Sequence, residues 1–205
     1  MRGRFITFEG IEGAGKSTVV HGVAASLRDR GLEVLVTREP GGTPLAEQIR
    51  QLVLAHGDEP LDSVAETLLM FAGRSIHLRN RIEPALEAGT WVLCDRFSDA
   101  SRAYQGAGRG VDEDLIEQLV RSVQRGLEPD LTFLLDLPVR MGLQRAASRR
   151  QARDRFESQN LAFFERVRTG YLQLAAREQR IRIIDATVSA EQVLAAVGRE
   201  LESLL

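Results

Sequence analysis

Residues 10–17 read G-I-E-G-A-G-K-S, a glycine-rich run that closes on a lysine and a hydroxyl. The pattern fits a phosphate-binding loop. Glycines at Gly10, Gly13 and Gly15 let the backbone curl, so that N–H groups from Ile11, Glu12 and Ala14 onward point into one concavity. A helix starting at Lys16 adds the positive end of its dipole there. In that geometry Lys16 reaches the β- and γ-phosphates of a bound polyphosphate, Ser17 offers a hydroxyl to Mg2+, and Thr18 completes the nucleotide-binding stretch. The alternative is a glycine-rich connector without a ligand. It is opposed by the apolar strand-like run before the loop and the helical run after it.

Lys16 is the only lysine in the chain; every other cation among the 27 Lys and Arg residues is arginine. A bias toward arginine codons explains the pattern but not its exception. Arginine substitutes for lysine on solvated faces, yet not where a compact ammonium must sit against phosphate inside a tight loop.

Other charged residues fall at strand ends. Asp95 closes W-V-L-C-D, where a carboxylate can hold Mg2+ through water, or orient Arg96, or both. Arg38 and Arg96 each follow a strand-like run and are placed to point at phosphate, with ordinary ion pairing as the competing reading.

The elements that must position these residues alternate. Residues 4–9, 32–37, 91–95, 131–136 and 181–185 read as buried strands. Between them lie helical patterns: Val19 to Leu27 with Gly31 as C-cap, 45–55, one long helix over 63–88, 113–125, and a last helix opened by Ser189 with Gln192 as a capping box. Strands joined by helical crossovers predict an α/β fold, a parallel sheet with helices on both faces, whose ligands bind beyond the carboxyl ends of the strands.

Bulk properties bound the function. A chain of 205 residues, 43% hydrophobic, is expected to form one domain spanning 1–205. A net charge of −2 and a pI near 6.0 give no sign of a nucleic-acid or membrane coat. Cys94 is the one cysteine, so no internal disulfide forms, and no leader or membrane-length apolar span is seen; a reducing cytoplasm is expected. With no second lysine, the Asn-Lys-x-Asp element of GTPases cannot occur, and 205 residues hardly leave room for the second domain of a motor ATPase, which leaves a small-molecule phosphotransferase.

Along nearly its whole length the chain resembles the thymidylate kinase family, bacterial type. The matching pieces are F-E-G-I-E-G-A-G-K-S, T-R-E-P-G-G-T (37–43), D-R-F-S-D-A-S-R-A-Y-Q-G (95–106) and D-R-F-E (154–157). The resemblance implies a five-stranded P-loop nucleoside monophosphate kinase fold, ATP-dependent phosphorylation of dTMP to dTDP in dTTP biosynthesis, Mg2+, and a homodimer. It implies that Arg38 and Arg96 hold the dTMP phosphate, Phe71 stacks on thymine and Arg74 meets its exocyclic oxygen. Glu12 accepts from the sugar 3′-hydroxyl, Tyr104 closes the 2′ position, and Ser101 and Gln105 border the base. Residues 145–157 correspond to a mobile lid over ATP. Some members carry an arginine where this chain has Gly13, so the missing cation is expected from Arg149, Arg150 or Arg153, and Arg145 is a candidate for stacking on adenine. On the residues alone that run also reads as a solvated charged helix. Two other readings stay open: a deoxynucleoside kinase, which needs a carboxylate to activate a sugar hydroxyl, and a regulatory module that binds ATP without turnover.

Overall fold

The computed structural model describes residues 2–55, 59–148, 156 and 159–204. Its centre is a five-stranded, all-parallel sheet in the order β2-β3-β1-β4-β5. The strands are β1 (Phe5–Glu9), β2 (Val34–Arg38), β3 (Trp91–Asp95), β4 (Leu131–Asp136) and β5 (Ile181–Asp185). β1 lies in the middle, β3 and β2 to one side, β4 and β5 to the other. The strand order therefore reverses at β1, and the crevice beyond its carboxyl end is the switch point of a doubly wound sheet.

Register delivers the chemistry to that edge. Asp95 pairs with Phe8 on one side and Arg38 on the other, so three strands end level. β1 and β4 are buried almost throughout, which is why they read as continuous apolar runs rather than alternating ones. Ile6, Phe8, Leu93 and Phe133 face the larger core, with Val19, Val23, Phe164 and Val197 packed against them. Phe5, Val92 and Cys94 face the opposite core with Leu78, Ile82 and Leu86. Burial of each such large side chain contributes about 1.5–3 kcal/mol.

The helix that follows the glycine loop, α1 (Lys16–Asp29), ends as its sequence indicates. Gly31 adopts φ 80°, its N–H reaches Arg28 O, and Leu32 N–H reaches Leu27 O, closing the last turn. α2 (Pro44–Leu54) is capped by Thr43, whose hydroxyl accepts the Ala46 N–H. The single helix expected over 63–88 is three segments: α3 (Ser63–His77), a π-helical turn (Leu78–Ile82) and α4 (Glu83–Glu87). Pro84 explains the break, since it has no N–H to donate and its ring crowds the carbonyl four residues back; a wider turn keeps the axis running.

After β3 come α5 (Ser98–Ser101), a second π-helical stretch (Arg102–Gly108) and α6 (Glu113–Gln124). α7 (Val139–Ala147) and α8 (Leu161–Arg177) link β4 to β5, and α9 (Ala190–Leu201) carries the predicted Ser189/Gln192 capping box. α8 is absent from the helices expected from sequence, although Phe163, Phe164, Val167, Gly170 and Tyr171 bury one face at helical spacing. Among the described residues no helix is long and apolar enough to cross a membrane.

Candidate active site

A cleft of about 200 Å³ lies at the carboxyl edge. Glu12, Gly13, Gly15, Lys16 and Ser17 line it from the loop, Arg38 and Glu39 from the end of β2, Asp95 and Arg96 from the end of β3, and Tyr104 and Phe156 from beyond. Sequence positions far apart thus converge as the strand ends require.

In the loop, Gly10, Gly13 and Gly15 all have positive φ, and Gly15 leads directly into α1. Ile11 and Ala14 turn inward and are buried, whereas Ser17 and Thr18 are exposed. The Lys16 ammonium donates to Gly10 O at 3.0 Å and Ile11 O at 3.1 Å. Burial, and next to it the neighbouring Arg96 charge, lower its pKa to about 8 against the pull of Asp95, Glu12 and Glu9. Ser17 donates to Asp95 Oδ2 at 3.2 Å.

Arg96 is the hub. Its φ of 71° is unusual for a non-glycine residue, and its N–H extends the ladder to Phe8 O at 2.9 Å. The guanidinium donates to Gly10 O at 2.9 Å, Glu12 Oε1 at 2.9 Å and Tyr171 Oη at 3.3 Å, and lies 4.7 Å from the Tyr104 ring centroid. Tyr104 in turn donates toward both Glu12 oxygens, 2.8 and 3.0 Å away. Burial pushes the Tyr104 phenol well above its ordinary value, so it stays a donor. Phe156, Phe163 and Tyr171 surround its ring edge-on, with centroids 6.0, 6.1 and 6.2 Å away.

A second network lies deeper. Arg74 is 3% exposed; it donates to Glu39 at 2.6 Å, to Phe97 O at 3.0 Å and to Ser101 Oγ at 3.1 Å, with its charge 4.6 Å from the Phe71 ring centroid. Its Nη1 is buried with no hydrogen-bond partner among the described residues. Burial pushes Glu39 up, but Arg74 and His77 together outweigh it and hold the carboxylate below its ordinary value. His77 bridges Glu39 (3.1 Å) and Thr37 (2.7 Å), which lie 38 and 40 positions before it in the chain. Gln105 donates to the buried Glu66 at 2.8 Å, beside Arg109 at 3.1 Å.

The remaining sequence candidates lie at the rim of the cleft or outside it. Arg38 is half-exposed at the rim and pairs with Glu47 at 3.1 Å. Arg145 points to the carbonyls of Ala186 and Thr187, at 2.8 and 3.3 Å. Arg149, Arg150 and Arg153, and most of the segment 145–157, lie outside the described residues. Among those described, no group of three or more His, Cys, Asp or Glu is arranged to hold a metal.

Sequence reading passed over Glu9, Glu39 and Tyr171. Glu9 had a visible signal, a carboxylate closing an otherwise apolar strand directly before the glycine loop. Glu39 lay within the T-R-E-P-G-G-T motif, and Tyr171 on the helix that had not been delimited.

A parallel sheet switching direction at β1, a glycine loop feeding α1, and two arginine networks at one edge define a P-loop kinase of the nucleoside monophosphate type. The thymidylate kinase family model matches residues 8–197. A thymidylate kinase of Alkalilimnicola ehrlichii is 54% identical over 203 residues, 98% of this chain and 94% of its own length. That of Chromohalobacter salexigens is 55% identical over 205 residues, covering 99% and 97%. The crystal structure of thymidylate kinase from Ehrlichia chaffeensis superposes with a TM-score of 0.79 at 35% identity, covering 98% of this chain and 99% of that one. The chain belongs to the thymidylate kinase family.

Proposed function

We propose that the chain transfers the γ-phosphoryl group of ATP to dTMP, giving dTDP and ADP. The observation that carries this reading is the convergence of Lys16, Arg96 and Arg38 on the cleft that also holds the Ser17–Asp95 pair. Two phosphorylated substrates bring about six negative charges together, and such a cleft lowers their repulsion.

The donor phosphates lie along residues 10–18, with the Lys16 ammonium against them. Mg2+ suits the donor set: it keeps most of its waters and needs one or two protein oxygens, which Asp95 and Ser17 offer. When bound, it screens the charge on the phosphates. Arg96 and Arg38 hold the acceptor phosphate. Its oxygen is already ionised, so no general base is needed, and catalysis is alignment plus charge stabilisation. Glu12 and Tyr104 border the sugar. A pyrimidine 4-oxo group supplies the acceptor that buried Arg74 Nη1 lacks, with Phe71, Ser101 and Gln105 around the base.

Gly13 lies against Gly142 of α7, which leaves no room there for a loop arginine. The remaining cation is assigned to Arg149, Arg150 or Arg153 of a lid over 145–157, and adenine to the neighbourhood of Arg145. A single kinase domain over 1–205, a homodimer and a cytoplasmic setting complete the reading.

A coupled assay of ADP release against a panel of nucleosides and monophosphates tests it. Turnover with dTMP is expected. Turnover with thymidine alone would indicate a deoxynucleoside kinase, and ATP binding without turnover a regulatory module.

A further inference from the structure

Glu9 closes β1 at 1% exposure, and its two carboxylate oxygens lead to the same neighbour by different routes. Oε1 accepts the Phe97 N–H at 2.7 Å. That N–H belongs to the peptide directly after Arg96, the residue with φ 71°. Oε2 accepts the Tyr171 hydroxyl at 2.7 Å, and the oxygen of that hydroxyl accepts Nη1 of Arg96 at 3.3 Å. One carboxylate therefore touches both the backbone turn and, through one phenol, the guanidinium.

We propose that Glu9 is the positioning residue of Arg96, fixing the left-handed turn through Phe97 N–H and aiming the guanidinium at the phosphate loop through Tyr171. The inference rests on reading Arg96 as a phosphate-holding residue. The polarity of the chain requires a carboxylate. Tyr171 has one proton, given to Glu9, which leaves its lone pairs free for Arg96. An amide at position 9 would present N–H to the phenol oxygen, in competition with Arg96. A carboxyl that has taken up a proton likewise gives up part of its acceptor capacity.

The surroundings make this clamp sensitive to pH. Glu9 is faced by Tyr171 from α8, Arg96 and Phe97 N–H from the turn after β3, Asp99 from α5 and Lys16 from α1. Burial first, and Asp99 second, raise it from 4.5 to about 7 against Tyr171 and Arg96. Asp99 keeps its own charge because Arg180 and Arg102 pair with it at 2.6 and 3.0 Å.

The test is steady-state kinetics with dTMP and ATP for wild type, Glu9→Gln, Tyr171→Phe, Arg96→Ala and the double variant Glu9→Gln/Arg96→Ala, across the neutral pH range. Glu9→Gln should lower kcat/KM by on the order of 10- to 100-fold, the usual penalty for a misaimed group. It should also abolish an acidic limb near pH 7 that wild type shows beyond the titration of dTMP itself. In the Arg96→Ala background the same change should cost under about threefold, because the residue it positions is gone. Tyr171→Phe, which leaves the Glu9–Phe97 bond in place, should remain folded, with melting lowered by no more than several degrees, and still lose activity. It carries the test should Glu9→Gln fold poorly. Independent, multiplying losses for Glu9→Gln and Arg96→Ala would overturn the inference, as would normal activity and pH profile in Glu9→Gln beside an impaired Arg96→Ala. Near-normal turnover in Arg96→Ala would instead overturn the phosphate role of Arg96, and this inference with it.

Discussion

The backbones of Gly13 and Gly142 are in such close contact that a Cβ built on Gly13 would fall 2.0 Å from the Gly142 carbonyl oxygen. Gly13 also has φ 75°, where an L side chain costs about 1–2 kcal/mol before any clash. Overpacking adds about 1–3 kcal/mol. Gly13→Ala should therefore lower Tm by several degrees and reduce kcat/KM, since either α7 or the phosphate loop must shift. A Gly13→Arg variant with unchanged melting and kinetics would remove this contact as the reason that the loop carries no arginine.

Lys16 combines burial with a pKa lowered to about 8. Its ammonium is competent below that value, so kcat/KM should fall as pH rises through about 8. Lys16→Met should lower turnover hundreds-fold, about 3–4 kcal/mol of barrier, while melting stays near or above wild type because a desolvated charge is gone. Turnover within tenfold of wild type would sink the phosphate-loop assignment.

Much of this was legible in the sequence, and the reason is physical. Buried parallel strands leave long apolar runs, and a phosphate loop needs glycines at set positions, so the sheet and residues 10–18 stand out. Contacts that depend on tertiary meeting leave no local trace. Glu39 and His77 lie 38 positions apart yet share a hydrogen bond, and neither residue type at its own position signals that. The π-helical turn at 78–82 was hidden because its apolar residues keep near-helical spacing. α8 is masked in the sequence by the arginine-rich run before it, whose charges border the apolar stripe of Phe163, Val167 and Tyr171.

Arg74 and Glu39 are each 3% exposed in side chain and bonded at 2.6 Å. Removing Arg74 leaves the buried Glu39 carboxylate with His77 as its remaining side-chain partner among the described residues. Arg74→Ala should destabilise by about 3–5 kcal/mol, visible as a Tm loss of roughly 10 °C. It should also narrow the preference for dTMP over dCMP, because an amino group no longer meets a fixed donor. A variant that melts like wild type would show that the pair contributes little.

Glu9 gives a second pH signature, in stability rather than rate. Its folded pKa, raised from 4.5 to about 7, means that the folded state holds a proton which the unfolded chain has released between those values. The penalty is absent below about pH 4.5, grows as pH rises and is complete above about 7, where it reaches about 3 kcal/mol. Wild type should lose stability relative to Glu9→Gln across that window in denaturant titrations. A constant difference at all pH values would rule the shift out.

The segment 145–157 makes its own prediction. Replacing Arg149, Arg150 and Arg153 singly with alanine should leave one variant impaired on the order of 10²-fold in both kcat and kcat/KM, with dTMP binding little changed, and the other two mild. Near-normal kcat in the triple variant would return the segment to a solvated charged helix.

The hydrogen bonds that assemble the cleft span long stretches of chain, 84 positions from Glu12 to Arg96 and 162 from Glu9 to Tyr171. Parallel pairing of distant strands is slow to form, because loop-closure entropy is spent before any contact returns it. During synthesis the loop of residues 10–17 therefore exists long before the groups that complete its surroundings, and the arginine hub cannot lock until α8 has left the ribosome. Substrates that bridge both halves bind only the finished arrangement, and by mass action they hold together the contacts that form last.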